Sequence, residues 1–155
     1  PVIHMTGLDG CGVEGWSPRK GNRRPLDTDP AAADRRSRQY DIIDEVAPID
    51  GEAFLRKSSP SSFWGTPLAG HLNYLGVDTL ITVGESTSGC VRASVVDGCT
   101  NRYRMIVVEE CVFDRHEAAH AINLFDMNQK YADVLPLADV LEYLGEVGAK
   151  RGTAV

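Results

Sequence analysis

The sequence contains no long apolar run. In 155 residues nothing approaches the roughly 18 consecutive apolar positions of a membrane-spanning helix. The opening residues carry no charged-then-apolar leader, so the expectation is a soluble cytoplasmic protein with no membrane partner. An excess of basic residues is also lacking. Sixteen Lys and Arg against 22 Asp and Glu give a net charge of −6, which argues against a nucleic-acid-binding face, since phosphate neutralisation needs clustered cations in excess. The one basic cluster, "SPRKGNRRP" from Ser17 to Pro25, lies in a Pro- and Gly-rich polar stretch and reads as a solvated loop. Cysteine is scarce and unpatterned: Cys11, Cys90, Cys99 and Cys111 form no CxxC pair and no zinc-finger spacing. Neither a disulfide framework nor a structural metal is expected, no cofactor is called for, and Cys99 and Cys111 read as small core residues.

What is present is enough apolar material, 43% of the chain, to bury a core without a staple, and the length suits one domain over residues 1–155. "PVIHMT" reads as a strand, yet it opens with no cap or loop ahead of it, as though the chain began in mid-fold. Residues 7–50 are rich in Gly, Pro, Asp and Arg with weak periodicity, too long for an ordinary connection. Beyond them the signals sharpen. "EAFLRK" is a short strand. "TPLAGHLNYLG" gives a helix with Thr66 as cap, Pro67 at the first helical position and Gly76 as its stop. "DTLITVG" is a strand and "GCVRASVVDGCTNR" a helix; "YRMIVVEE" is a strand and "HEAAHAINLFDMNQ" a helix. "YADVL" is a short extended piece, and "PLADVLEYLGEV" is a closing helix that starts with Pro136. Strands alternating with helices predict an α/β protein, a parallel sheet covered on both faces with right-handed crossovers.

In such sheets ligands gather at the carboxyl ends of strands, where loops enter helices. Cys90 falls there, after "LITVGESTSG". A thiol in the first turn of a helix meets unpaired N–H groups and the positive end of the dipole, which favour the thiolate. The small residues Ser86 to Gly89 let the chain turn sharply and bring backbone amides near a reacting carbonyl as an oxyanion hole. The alternative is a buried structural cysteine beside a tight turn.

The stretch "FLRKSSPSSFWGTPLAGHLNYLGVDTLITVGESTSGCVRASVVDGC" resembles the isochorismatase-like cysteine hydrolases, and within them the branch containing N-carbamoylsarcosine amidase and maleamate amidase. The resemblance continues through "VVEECVFDRHEAAHAINLFDMNQKYADV" to about Leu144, and is loose over the first 50 residues. It implies a three-layer α/β/α sandwich with a parallel sheet, and a catalytic triad of Asp, Lys and Cys. Cys90 matches the nucleophile, whose thiolate attacks an amide or ureido carbon to form an acyl- or carbamoyl-enzyme. Lys57 matches the lysine that holds the thiolate; by itself it reads as a solvated edge charge. The resemblance implies a cis peptide bond between Glu85 and Ser86, with the amides of Ser86 and Cys90 forming the oxyanion hole. Arg115 matches an arginine that clamps a substrate carboxylate; its structural reading is a pair with Asp114. Phe63 and Trp64 either wall the pocket or pack in the core. The implied reaction is hydrolysis of a small carboxylated amide or carbamoyl compound with release of ammonia, by a homo-oligomer.

The triad aspartate has no match. In the family it ends the first strand, ahead of the segment that "PVIHMT" resembles, and Asp9, Asp27, Asp29, Asp34, Asp41 and Asp44 all lie in the loop region. None is assigned the role. The expectation is a sheet without its first strand in this chain, and an amino-terminal segment or partner chain that supplies the carboxylate. A catalytically silent relative that binds a small molecule is the alternative. "HEAAH", His116 to His120, also satisfies the H-E-x-x-H zinc pattern. It lacks a third histidine downstream, leaving Glu142 or Glu146 to serve, so zinc hydrolysis is the minor reading.

Overall fold

The computed structural model describes residues 1–7, 38 and 40–152. They divide into two compact units, Pro1–Ser59 and Pro60–Val155. The first is built on two parallel strands. Strand β1 (Ile3–Gly7) pairs with β2 (Ala53–Lys57), in register from Ile3↔Ala53 to Gly7↔Lys57. The turn leading into β2 is tied by Glu52, whose carboxylate accepts the Ile49 N–H at 3.1 Å and contacts His4 Nε2 at 2.8 Å. Those two bonds, the Ile49 amide foremost, hold the Glu52 carboxyl below its ordinary range. Gly7 ends β1 under the Tyr40 ring, where a Cβ would meet ring carbons at 2.5 Å. The basic cluster at Ser17–Pro25, Cys11, and four of the candidate aspartates, Asp9, Asp27, Asp29 and Asp34, lie outside the described residues.

The second unit follows the expected alternation. Helix α1 (Leu68–Tyr74) starts one residue later than Pro67 suggests, with Thr66 Oγ1 accepting the Leu68 N–H at 3.3 Å. It stops at Gly76, whose φ of +64° suits glycine. There the Gly76 N–H reaches Asn73 O and the Val77 N–H reaches Leu72 O, the paired bonds of a Schellman end. Strand β3 (Thr79–Glu85) leads to helix α2 (Arg92–Thr100), strand β4 (Arg104–Phe113), helix α3 (Glu117–Lys130), strand β5 (Asp133–Leu135) and helix α4 (Leu137–Gly152).

The three strands form a parallel sheet in the order β3-β4-β5. Parallel strands are apolar on both faces, and β4 shows why it takes the centre. Met105, Val107 and Val112 pack with Val91 and Val95 beside them, and with Leu124 and Met127 of α3. Val108, on the alternate face, is also buried, and α4, with Val140 buried, packs on β4. Helices therefore cover both faces, giving the three-layer α/β/α arrangement expected. Gly98 of α2 lies so close to β4 that a Cβ would fall 2.4 Å from Met105 Sδ. Cys99 packs against this core, as expected of a small apolar residue.

Candidate active site

The β3–β4 register breaks between Thr82 and Gly84, where β3 steps from Val107 to Val112 before Glu85 pairs with Phe113. Gly84 takes a φ of +113° at this irregularity, a region closed to most side chains. The step sets the residue after β3 level with Asp114 at the end of β4. Both strands finish together, at the edge where α/β sheets present their chemistry.

The chain does not enter α2 directly. The Glu85–Ser86 peptide bond is cis, as the resemblance implied. A single π-turn, Thr87–Val91, then precedes α2. Cys90 therefore lies within a π-turn, not in the first α-turn, because α2 itself begins at Arg92. Such turns recur at functional sites. The Ser86 carbonyl closes the turn by accepting the N–H groups of Gly89 at 2.9 Å and Val91 at 3.1 Å. Gly89 leaves room for the Ser86 hydroxyl, which would stand 2.5 Å from an added Cβ.

Side chains from three directions hold the turn. Ser94, buried one helical turn on, donates its hydroxyl to the Cys90 carbonyl at 2.7 Å. The same oxygen accepts the Ser62 N–H at 3.0 Å, fixing the "SSFWG" segment beside the turn. Thr87 is fully buried, and its hydroxyl meets His120 Nδ1 of α3 at 2.9 Å. Asp114 takes Ser88 twice on one oxygen, the backbone N–H at 2.7 Å and the hydroxyl at 2.6 Å, and the Arg115 N–H on the other at 2.8 Å. These bonds, with the Ser88 hydroxyl foremost, hold the Asp114 carboxyl below its usual range. Further along, Arg92 pairs with Asp126 at 2.5 Å and donates to Asn123 at 3.0 Å, clasping α2 to α3.

Of the sequence-selected residues, Ser86, Cys90 and Arg115 meet around this turn, Arg115 through the backbone contact with Asp114. The Arg115 side chain is exposed. Lys57 is the last residue of β2 in the first unit, half-buried, with Nζ donating to Ser59 O at 2.8 Å. Phe63 packs its ring 5.9 Å from that of Tyr103, while Trp64 is 67% exposed. Asp41 contacts Arg38 at 3.8 Å and Asp44 starts a 3-10 turn; neither ends a strand. In "HEAAH" the zinc pattern fails on geometry. Two histidines at i and i+4 share a face only if both are helical, and His116 is the extended cap of α3, with φ −125° and ψ 122°. Among the described residues no three His, Cys, Asp or Glu side chains gather as a metal set.

Thr87 reads in the sequence only as one of the small turn residues, His120 only as the second histidine of "HEAAH", and Ser94 and Asp114 not as site residues. Asp114 was considered only as a partner for the Arg115 side chain. The alignment of Glu85 with Phe113 is the signal that could have drawn it to Ser88, and it exists only once the strands are paired.

The isochorismatase domain model matches residues 1–139. Maleamate amidohydrolase of Pseudomonas putida is 48% identical over 103 residues, 66% of this chain and 48% of that protein. N-carbamoylsarcosine amidase of an Arthrobacter species is 38% identical over 103 residues, covering 66% of this chain and 39% of its own length. The chain thus spans half or less of these curated relatives. Among solved structures, N-carbamoylsarcosine amidase from Thermoplasma acidophilum superposes with a TM-score of 0.65 at 27% identity, over 88% of this chain and 72% of that one. An isochorismatase-like hydrolase from Alkaliphilus metalliredigens reaches 0.72 at 23% identity, over 92% and 70%, a likeness of fold.

Proposed function

Because this chain belongs to the isochorismatase family, we propose that it is a cysteine-dependent amidohydrolase of a small carboxylated amide or carbamoyl compound. The observation that carries the reading is the placement of Cys90: a thiol in a π-turn at the carboxyl end of a parallel strand, with the turn fixed from both neighbouring elements. Relatives named for maleamate and N-carbamoylsarcosine support the substrate class. The match runs through both units, so we read residues 1–155 as one hydrolase domain.

In the proposed reaction the Cys90 thiolate adds to the amide or ureido carbon, and the carbonyl oxygen takes the negative charge. The N–H groups of Ser86 and Cys90 stabilise that oxyanion. The C–N bond then breaks, nitrogen leaves as ammonia after taking the proton that the thiol gave up on ionising, and water hydrolyses the acyl-thiol to the acid and restores the thiol. The Lys57 ammonium is assigned to the thiolate, and the Arg115 guanidinium to the substrate carboxylate. No aspartate of this chain is assigned to the triad, and a further segment or chain is proposed to supply that carboxylate. A cytoplasmic location, where reducing conditions keep a thiol such as that of Cys90 free, and a homo-oligomer are part of the same proposal, the oligomer on family grounds.

The test is ammonia release from maleamate and from N-carbamoylsarcosine. The expected result is release that Cys90→Ala abolishes and that Arg115→Ala weakens mainly through KM. Absence of release from every carboxylated amide tried, with the protein folded and any partner segment present, would leave a silent small-molecule-binding relative as the better reading.

A further inference from the structure

The turn that bears Cys90 has a dedicated anchor outside its own segment. Asp114 stands one residue past β4, level with the end of β3. Its Oδ2 receives both donors that Ser88 has to offer, at 2.7 and 2.6 Å, and its Oδ1 receives the Arg115 amide at 2.8 Å. Hydrogen bonds to an ionised acceptor are about twice as strong as neutral ones. Ser88 lies inside the π-turn, two residues from the sulfur. Its neighbour Thr87 is held by His120, so consecutive residues of the turn are fastened to the segment that connects β4 to α3 and to α3 itself. The far side of the turn is held by Ser94 on the Cys90 carbonyl.

We propose that Asp114 is a positioning residue for the thiol: through Ser88 it fixes the backbone turn that presents Cys90, and through the Arg115 amide it ties that turn to the arginine beside it. The inference rests on the cysteine-hydrolase reading for its catalytic consequence. Its geometric content is independent of the substrate. Reaction rates are sensitive to displacements of about 1 Å at the attacking group, which can cost roughly a hundredfold. Alkylation reads how the thiol is presented without any substrate, so a slower thiol in step with a lower kcat reports the position of the turn.

The experiment uses the full chain as Asp114→Asn, Ser88→Ala and the double variant. Two readouts are taken: kcat and KM for the amide that the wild type hydrolyses, and the rate at which iodoacetamide modifies Cys90, followed by peptide mapping with Cys99 and Cys111 as internal references. For Asp114→Asn the expected result is a fall in kcat of about tenfold or more, with KM changed less than about twofold. Alkylation of Cys90 should slow, while Cys99 and Cys111 are unchanged. Ser88→Ala keeps the backbone bond and should fall short of that loss, and the double variant should be no worse than Asp114→Asn, because the two act through one contact. Faster or unchanged alkylation of Cys90, a loss confined to KM, or additive effects in the double variant would overturn the proposal. If the wild type hydrolyses nothing while the alkylation pattern is as expected, the amidohydrolase reading fails and the positioning role stands.

Discussion

Replacing Ser94 by alanine tests whether the thiol turn is held by specific polar contacts or by apolar packing alone. Ser94 is 8% exposed. Its oxygen donates to the Cys90 carbonyl at 2.7 Å, accepts the Ser62 amide at 3.0 Å and lies 3.1 Å from the Ser62 hydroxyl. Alanine fills most of the same space, so the cavity term is small. What is lost is a pair of hydrogen bonds worth about 1 kcal/mol each, with a further charge for leaving the Ser62 N–H unsatisfied, part of the roughly 1–3 kcal/mol cost of a stranded donor. Alanine's better helix propensity returns about 0.5 kcal/mol. The balance is a destabilisation of about 2 kcal/mol. For a chain of this size that corresponds to a Tm lower by about 4–8 °C. With a urea m-value of about 2 kcal/mol/M, the midpoint falls by about 1 M. Equilibrium urea unfolding followed by circular dichroism measures it, and the m-value should not change. A loss below about 0.5 kcal/mol, the range of ordinary surface changes, would refute the reasoning and show that the segment around Ser62 is held by something other than this hydroxyl.

Other perturbations have equally definite outcomes. Gly98→Ala should destabilise by about 1 kcal/mol in thermal melts, because overpacking against Met105 costs about 1–3 kcal/mol and the gain in helix propensity returns about 1; stabilisation would mean that Met105 yields freely. Gly84→Ala should cost about 1–3 kcal/mol through its φ of +113°, and should slow any reaction of Cys90 by shifting the strand end; a neutral effect on both would refute this. The Asp114 carboxyl is held below its ordinary range in the fold, so the unfolded chain binds more protons and stability rises with pH across that interval. Its contribution is complete above the unfolded value of about 3.9 and fades as pH falls through the folded value. Asp114→Asn should therefore lose less stability than the wild type between neutral pH and strongly acidic pH, measured as urea midpoints across that range; parallel acid profiles would contradict the assignment.

The fold was legible because burial on both faces leaves its mark locally. "DTLITVG" and "YRMIVVEE" are apolar runs that only a covered parallel strand tolerates, and Gly76 announces the end of α1 by its lack of a Cβ. The place of Cys90 in the fold was legible for a similar reason, since an apolar strand, a run of small residues and a helical pattern follow one another around it. The π-turn was not, because one extra residue in a helical turn leaves no periodic signature over five positions. Nor were the groups that hold it. Asp114 is 26 residues from Ser88, His120 is 33 from Thr87 and Ser94 is 32 from Ser62. Contacts of that span exist only after β3 and β4 take their register, and Asp, His and Ser are common enough on solvated surfaces that nothing marks these three in advance as anchors of the turn.

The central claim is that Cys90 forms the covalent bond to substrate. Acid quenching during turnover of the hydrolysed amide, followed by peptide mass mapping, tests it directly. The expected product is a hydroxylamine-labile acyl group on the peptide containing Cys90, lacking the nitrogen of the amide and missing from Cys90→Ala. Turnover that persists in Cys90→Ala, or an adduct on Cys99 or Cys111 in its place, would contradict the account.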